Sequence, residues 1–89
     1  MFFGEIWRVD IRGKARKVLK RIPARDAEAI LHVIEGFQTD PYAGDIEKLE
    51  GETDAWRRRV GSYRIFYEIY QETRSVYVYW VERRGSKTY

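Results

Sequence analysis

WRRRVGSYRIFYEIY, residues 56–70, predicts a β-hairpin at the centre of this chain. Its two runs of strand-forming residues flank Gly61-Ser62, a dipeptide typical of a short connection between antiparallel strands. Side chains two residues apart on a strand share a face, so Arg57 and Arg59 lie together, and Arg64 lies on one face of the second strand. If the strands pair with these faces coincident, the three arginines form one cationic surface on a rigid sheet.

A third strand extends this hairpin into an antiparallel meander. The strands are predicted over residues 55–60, 63–71 and 75–82, and the second connection is the short turn 72–74. Alternation assigns the last strand two apolar or aromatic faces, which is typical of a central strand or of one whose tyrosines line a site. One face holds Val76, Val78 and Trp80, and the other holds Tyr77, Tyr79 and Val81.

The N-terminal half predicts one strand and two helices. Residues 2–10 form the strand, with Trp7 and Val9 on one face. Apolar residues then recur every three or four positions over 12–22 and again over about 24–38, which indicates two amphipathic helices separated at Pro23. The segment 39–45 is predicted to be a loop. We therefore expect an α+β fold in the order β-α-α-β-β-β, with the helical hairpin packed on one sheet face.

The composition limits the classes of protein that this chain can represent. Its 89 residues suit a single domain, 1–89, with one core. The absence of cysteine and the single histidine argue against a disulfide framework or a usual zinc site, so no metal or other cofactor is expected. No apolar run approaches the ~20 residues that span a bilayer. We expect a cytoplasmic protein without a membrane partner.

Charge is unevenly distributed along the sequence. Residues 1–25 have eight basic and two acidic side chains, residues 26–54 have one and nine, and residues 55–89 have eight and three. The C-terminal third thus has the character of an anion-binding surface. Arginines beside aromatic rings suit a phosphodiester chain and its bases. The alternative is that these arginines lie on a solvated strand face and bind no ligand.

The same segments resemble a known family. KLEGETDAWRRRVGSYRIFYEI, residues 48–69, and VYVYWVERRGSKTY, residues 76–89, are similar to the signature of the RelE/ParE superfamily, the toxins of type II toxin-antitoxin modules. The most specific matches are Lys48-Leu49 with Gly51, the arginine-rich run 57–64, and a terminal arginine followed by tyrosine. The predicted helical hairpin also matches, so the resemblance covers nearly the whole chain.

For RelE-like members, the resemblance implies a metal-independent endoribonuclease that cleaves mRNA in the ribosomal A site through attack by the ribose 2′-hydroxyl. It also implies a cognate antitoxin, with the ribosome and mRNA as further partners. ParE-like members of the same fold instead inhibit DNA gyrase. A third possibility is an inactive member that only binds RNA or its antitoxin. The nearly complete residue set in this sequence favours RNA cleavage.

The resemblance and the chemistry of phosphate together assign roles to the matching residues. Arg57 and Arg59 would clamp the RNA backbone and the transition state, and Arg64 would contact the scissile phosphate. The remaining assignments are Arg83 or Arg84 at the leaving group, Tyr89 as a base-stacking residue or proton acceptor, and Arg58, Lys87 and Trp56 as additional RNA contacts. Each assignment has an alternative. Trp56 could serve only in packing, and Arg83 and Arg84 could protect an edge strand from pairing with another chain. Tyr89 could belong to a terminus without function.

Three further residues are expected to have no catalytic role. Glu47 and Glu50 are proton acceptors by chemical type, but their predicted place in a loop favours simple solvation. His32 has no partner histidine and is expected to lie on the flank of the second helix. Arg58, by contrast, falls on the core-facing parity of its strand, so its guanidinium is expected to extend toward solvent at the sheet edge.

Overall fold

Seven elements follow one another along residues 6–83, the part of the chain that this computed structural model describes. They are β1 (Arg8–Ile11), α1 (Gly13–Arg21), α2 (Ala24–Gly36), β2 (Ile46–Lys48), β3 (Ala55–Val60), β4 (Tyr63–Tyr70) and β5 (Ser75–Arg83). This order confirms the predicted α+β class, the helical hairpin and the three-stranded meander. Neither helix of the described residues combines the length and the apolar character needed to cross a membrane.

The strands form one mixed sheet in the order β1-β5-β4-β3-β2. The meander β3-β4-β5 is its antiparallel centre, and β1 pairs in parallel with β5 at one side. At the other side, β2 pairs antiparallel with β3. The predicted order β-α-α-β-β-β lacked β2, because its three residues lie in an acidic stretch without the apolar alternation that identifies a strand.

Both helices pack on one face of this sheet. Ile30, Ile34 and Phe37 from α2 and its end are buried there, together with Ala15 of α1. The sheet contributes alternate residues of β4 and three valines of β5: Tyr63, Ile65, Tyr67, Ile69, Val76, Val78 and Val81. Each large aliphatic side chain in this core contributes about 1.5–3 kcal/mol relative to exposure. The core therefore fixes which parity of each strand faces the helices.

A β-bulge changes the faces predicted for β5. Phe66 pairs with Trp80, but the next residue of β4, Tyr67, pairs with Val78, so Tyr79 is the additional residue. The prediction that Trp80 shares a face with Val76 and Val78 is therefore wrong. Val81 joins the core instead, and 38% of Trp80 is exposed.

Two smaller differences concern the N-terminal half. The first strand covers Arg8–Ile11 rather than 2–10, and residues 1–5 lie outside the described part. Trp7 is buried, and its backbone N–H donates to the carbonyl of Gln38. Leu31 belongs to the apolar stripe of the second helix, yet 40% of it is exposed.

Candidate nucleic-acid interface

Three arginines share the sheet face that is opposite to the helices. The register pairs Arg57 with Phe66 and Arg59 with Arg64. These residues alternate with the core residues along β4, so their side chains lie on the face of the sheet that is opposite to the core. The arginine-bearing faces of the two hairpin strands therefore coincide, which is the condition for one cationic surface. Arg57, Arg59 and Arg64 line one cleft of about 180 Å³.

Each arginine of this cleft contacts a carboxylate. Arg57 donates from Nη2 to Oε1 of Glu47 at 2.8 Å. Arg59 donates from Nε to Oδ2 of Asp45 at 2.9 Å, and Arg64 donates from Nη1 to Oε2 of Glu82 at 3.4 Å. These pairs are partly exposed, with 33% of the Arg57 side chain and 53% of the Arg59 side chain accessible. Exposed ion pairs of this kind are weak, so an anionic ligand can replace the carboxylates.

Asp45 and Glu47 also line this cleft, and the sequence did not predict their positions there. Glu47 was expected to be solvated in a loop, but it lies on β2 directly opposite Arg57. Asp45 precedes that strand, and its carbonyl accepts the backbone N–H of Arg59. The sequence offered one signal, the acidic stretch that precedes the arginines. Which acidic residue lies opposite which arginine is set by the pairing of β2 with β3. Glu50 lies in the following turn and is exposed.

Arg58 and Trp56 lie on the other face of β3. Arg58 donates from Nη1 to the carbonyl of Ala43 at 3.2 Å, and its Nε is buried without a hydrogen-bond partner among the described residues. Trp56 is in edge-to-face contact with Tyr42, with ring centroids 5.7 Å apart. The idea that they bind RNA beside the three arginines is not supported by this placement. Arg58 is also not at an open sheet edge, because β2 pairs alongside it.

The structure does not bring Arg83 into the cleft. Arg83 pairs with Tyr63, whose ring faces the helices, and its guanidinium carbon lies 5.9 Å from the centroid of that ring. Arg84, Lys87 and Tyr89 lie outside the described residues.

Tyrosines on both faces have raised pKa values. Burial and the carboxylate of Asp26, which accepts the Tyr63 hydroxyl at 2.8 Å, raise the pKa of Tyr63. Burial likewise raises the pKa of Tyr67, whose hydroxyl donates to the carbonyl of Pro41. On the arginine face, burial followed by the charges of Glu68 and Glu52 raises the pKa of Tyr79. These phenols are thus held in their protonated, uncharged form.

His32 is not among the residues that line the arginine cleft. His32 is exposed on α2, as predicted for a helix flank, beside Leu31 and Glu35. Within residues 6–83, no group of three or more histidine, aspartate or glutamate side chains is arranged to hold a metal ion.

Comparison with known proteins decides the family. The family model of the ParE toxin of type II toxin-antitoxin systems matches residues 9–87. The chain belongs to this toxin family. A curated relative from Methanocaldococcus jannaschii, named RelE1, is 28% identical over 79 residues, which cover 85% of this chain and 88% of the relative.

Solved structures support the wider RelE/ParE assignment of this toxin. The archaeal RelE-RelB complex from Pyrococcus horikoshii contains a chain with a TM-score of 0.80 and 25% identity, covering 92% of this chain and 99% of that one. The RelBE2 toxin-antitoxin complex from Mycobacterium tuberculosis also gives a TM-score of 0.80 and 25% identity, covering 92% and 95%. The predicted RelE-like fold and the superfamily resemblance are confirmed.

Proposed function

We propose that this toxin is a RelE-like, ribosome-dependent endoribonuclease that cleaves mRNA in the ribosomal A site. The observation that supports this choice most is the cross-strand pair of Arg59 and Arg64, with Arg57 beside it in one cleft. Three guanidinium groups on adjacent strands have the charge and the forked donor geometry that a phosphodiester requires. The strands hold the three guanidinium groups on a rigid surface, so these groups can orient a phosphate as well as attract it.

The reaction makes three chemical demands. The ribose 2′-hydroxyl must lose a proton, the five-coordinate phosphorus must be stabilised, and the leaving 5′-oxygen must gain a proton. Arg57, Arg59 and Arg64 meet the second demand, because donors fixed toward developing negative charge each contribute about 10²- to 10³-fold in rate. They would do so after exchanging Glu47, Asp45 and Glu82 for phosphate oxygens.

Two groups are proposed for the proton transfer from the 2′-hydroxyl. Tyr89 is one, from the resemblance to RelE-like toxins, and Glu47 is the second, since its carboxylate lines the same cleft as the arginines. A guanidinium group only donates hydrogen bonds, so the three arginines of the cleft are not assigned as proton acceptors. For the leaving group, the position of Arg83 beside Tyr63 favours Arg84 of the two candidates.

An antitoxin is the proposed protein partner. The similar chains from Pyrococcus horikoshii and Mycobacterium tuberculosis were solved in toxin-antitoxin complexes. An acidic segment or helix of such a partner would neutralise the arginine face by pairing charge and covering apolar surface. The ribosome would supply the remaining contacts to the message.

Inhibition of DNA gyrase is the second candidate, because the matching family model describes ParE toxins. The two functions are separated by measuring translation in a purified system and supercoiling by gyrase with the same protein sample. The Arg57→Ala/Arg59→Ala variant should lose inhibition of translation. The matched control, Arg21→Ala/Arg25→Ala, removes two exposed helix arginines and should retain it. Inhibition of supercoiling with unaffected translation would contradict the proposal.

A further inference from the structure

Two aromatic rings continue the arginine face along the sheet. Phe66 follows Arg64 by two residues on β4 and therefore shares its face, at a distance of about 7 Å along the strand. Tyr79 of β5 lies against it, with ring centroids 6.3 Å apart and an angle of 49° between the planes. Both rings are half-buried, so part of each remains accessible.

The bulge in β5 accounts for the position of Tyr79. It inserts this residue where β5 passes Phe66, and the bulged strand thereby directs one additional side chain to that place. Bulges commonly re-aim a side chain beside a functional site. Packing against a helix does not explain the two rings, because α1 and α2 both lie on the opposite face and no described element covers this one.

Carboxylates bound the aromatic pair at its far side. Glu68 follows Phe66 on the same face and accepts the hydroxyl of Tyr70 at 3.2 Å. Glu68 and Glu52 also place negative charge near Tyr79. The surface therefore changes from cationic at Arg64, through aromatic at Phe66 and Tyr79, to acidic at Glu68. A phosphate is attracted to the first part and repelled from the last, while an uncharged base is tolerated between them.

We propose that Phe66 and Tyr79 form a base-stacking subsite for single-stranded RNA, immediately beside the arginine cleft. Arg59 and Arg64 hold one phosphate, and the base of the adjoining nucleotide lies on the two rings. This inference rests on the proposed RNA-cleaving function and assigns a binding site within it. Every base offers a π-face, so the subsite orients a nucleotide without selecting its sequence. A base within a duplex is stacked between its neighbours, so its faces are not available to the two rings.

The test compares two probes at one salt concentration by fluorescence anisotropy. One is a labelled single-stranded RNA hexamer with 2′-O-methyl groups, which block cleavage, and the other is a hexamer of abasic units with the same number of phosphates. The unchanged chain should bind the base-containing hexamer more tightly than the abasic hexamer. Phe66→Leu and Tyr79→Leu, which keep apolar volume but remove the ring, should each weaken that binding about 5- to 100-fold.

The abasic hexamer and a conservative variant serve as controls. Binding of the abasic hexamer should be unchanged in both leucine variants, and Tyr79→Phe should retain the binding of the base-containing hexamer. Equal loss for both hexamers, or no preference for bases in the unchanged chain, would overturn the subsite. Base-dependent binding by a protein that cleaves no message on ribosomes would support the subsite while rejecting the proposed function.

Discussion

Asp45 and Glu47 give the arginine cleft a built-in anionic competitor. Their carboxylates occupy the donors of Arg59 and Arg57 that a phosphate would need. In the proposed function, RNA would displace these two ion pairs as it binds, and the free energy of the new arginine–phosphate pairs would be partly offset by that of the broken ion pairs. Because these ion pairs are partly exposed, the exchange costs little but is measurable.

Removal of these carboxylates should strengthen RNA binding. Asp45→Asn and Glu47→Gln retain the shape of the side chains but remove negative charge from the cleft. We expect each variant to bind a single-stranded RNA more tightly than the unchanged chain, with the largest difference at low salt. Anisotropy titrations over a range of salt concentrations measure this. Weaker binding by both variants would show that the carboxylates contact RNA productively.

Raised tyrosine pKa values predict a loss of stability at alkaline pH. The folded state holds the phenolic protons of Tyr63 and Tyr67 more tightly than the unfolded state does. Their contribution is complete below the unfolded pKa near ~10 and is lost as pH rises above it. Urea unfolding between about pH 9 and 11.5 should therefore show a declining free energy of unfolding. Tyr67→Phe should decline less steeply, and an identical decline would contradict this linkage.

At the residue scale, the sequence predicted the shared face of Arg57 and Arg59 because alternation depends only on local geometry, whereas the addition of Arg64 depended on the pairing of the two strands. It did not predict the positions of Glu47 and Arg83. Those depend on pairing with a distant strand and on the bulge at Tyr79, neither of which has a local signal in this sequence.

At the scale of elements, the loop 39–45 is anchored to side chains of β3 and β4 before it leads into β2. Arg58 contacts the carbonyl of Ala43, and Tyr67 donates to the carbonyl of Pro41. Gly44 lies beside these anchors with a φ of 92°. The backbone conformation therefore favours glycine, and a Cβ at this position would also require the guanidinium of Arg58 to move.

Gly44→Ala should destabilise the fold by about 1–3 kcal/mol, since it combines a strained backbone with displacement of Arg58. The matched control is Gly36→Ala at the end of α2, where nothing lies within 4 Å of the added methyl group. That change should be neutral or stabilise by up to about 1 kcal/mol. Urea unfolding measures both, and equal effects would contradict the role of Gly44.

Whole elements were more predictable than their pairing. The three long strands and both helices were predicted to within a few residues, from the periodicity of the helices and β4 and from the short turns that bound the strands. The parallel pairing of β1 with β5 and the short β2 were missed. These features depend on interactions between segments far apart in sequence, for which periodicity carries no information.

At the scale of the whole molecule, the fold separates the hydrophobic core from the proposed RNA-binding face. The helices cover one face of the sheet and bury its core, which leaves the opposite face for the arginines and the adjoining rings. Substitutions on that open face should therefore change activity with little effect on folding. Arg64→Ala is the sharpest example, since Arg64 contacts Glu82 but lies outside the core.

The most direct test maps the 5′ ends of mRNA after the toxin is incubated with programmed ribosomes. The unchanged chain should produce cuts at the A-site codon. Arg64→Ala should reduce their rate about 10²- to 10³-fold while its thermal unfolding stays unchanged. Cuts of equal rate in the Arg64→Ala variant, or no A-site cuts by the unchanged chain, would contradict the proposed arginine-based cleavage of mRNA.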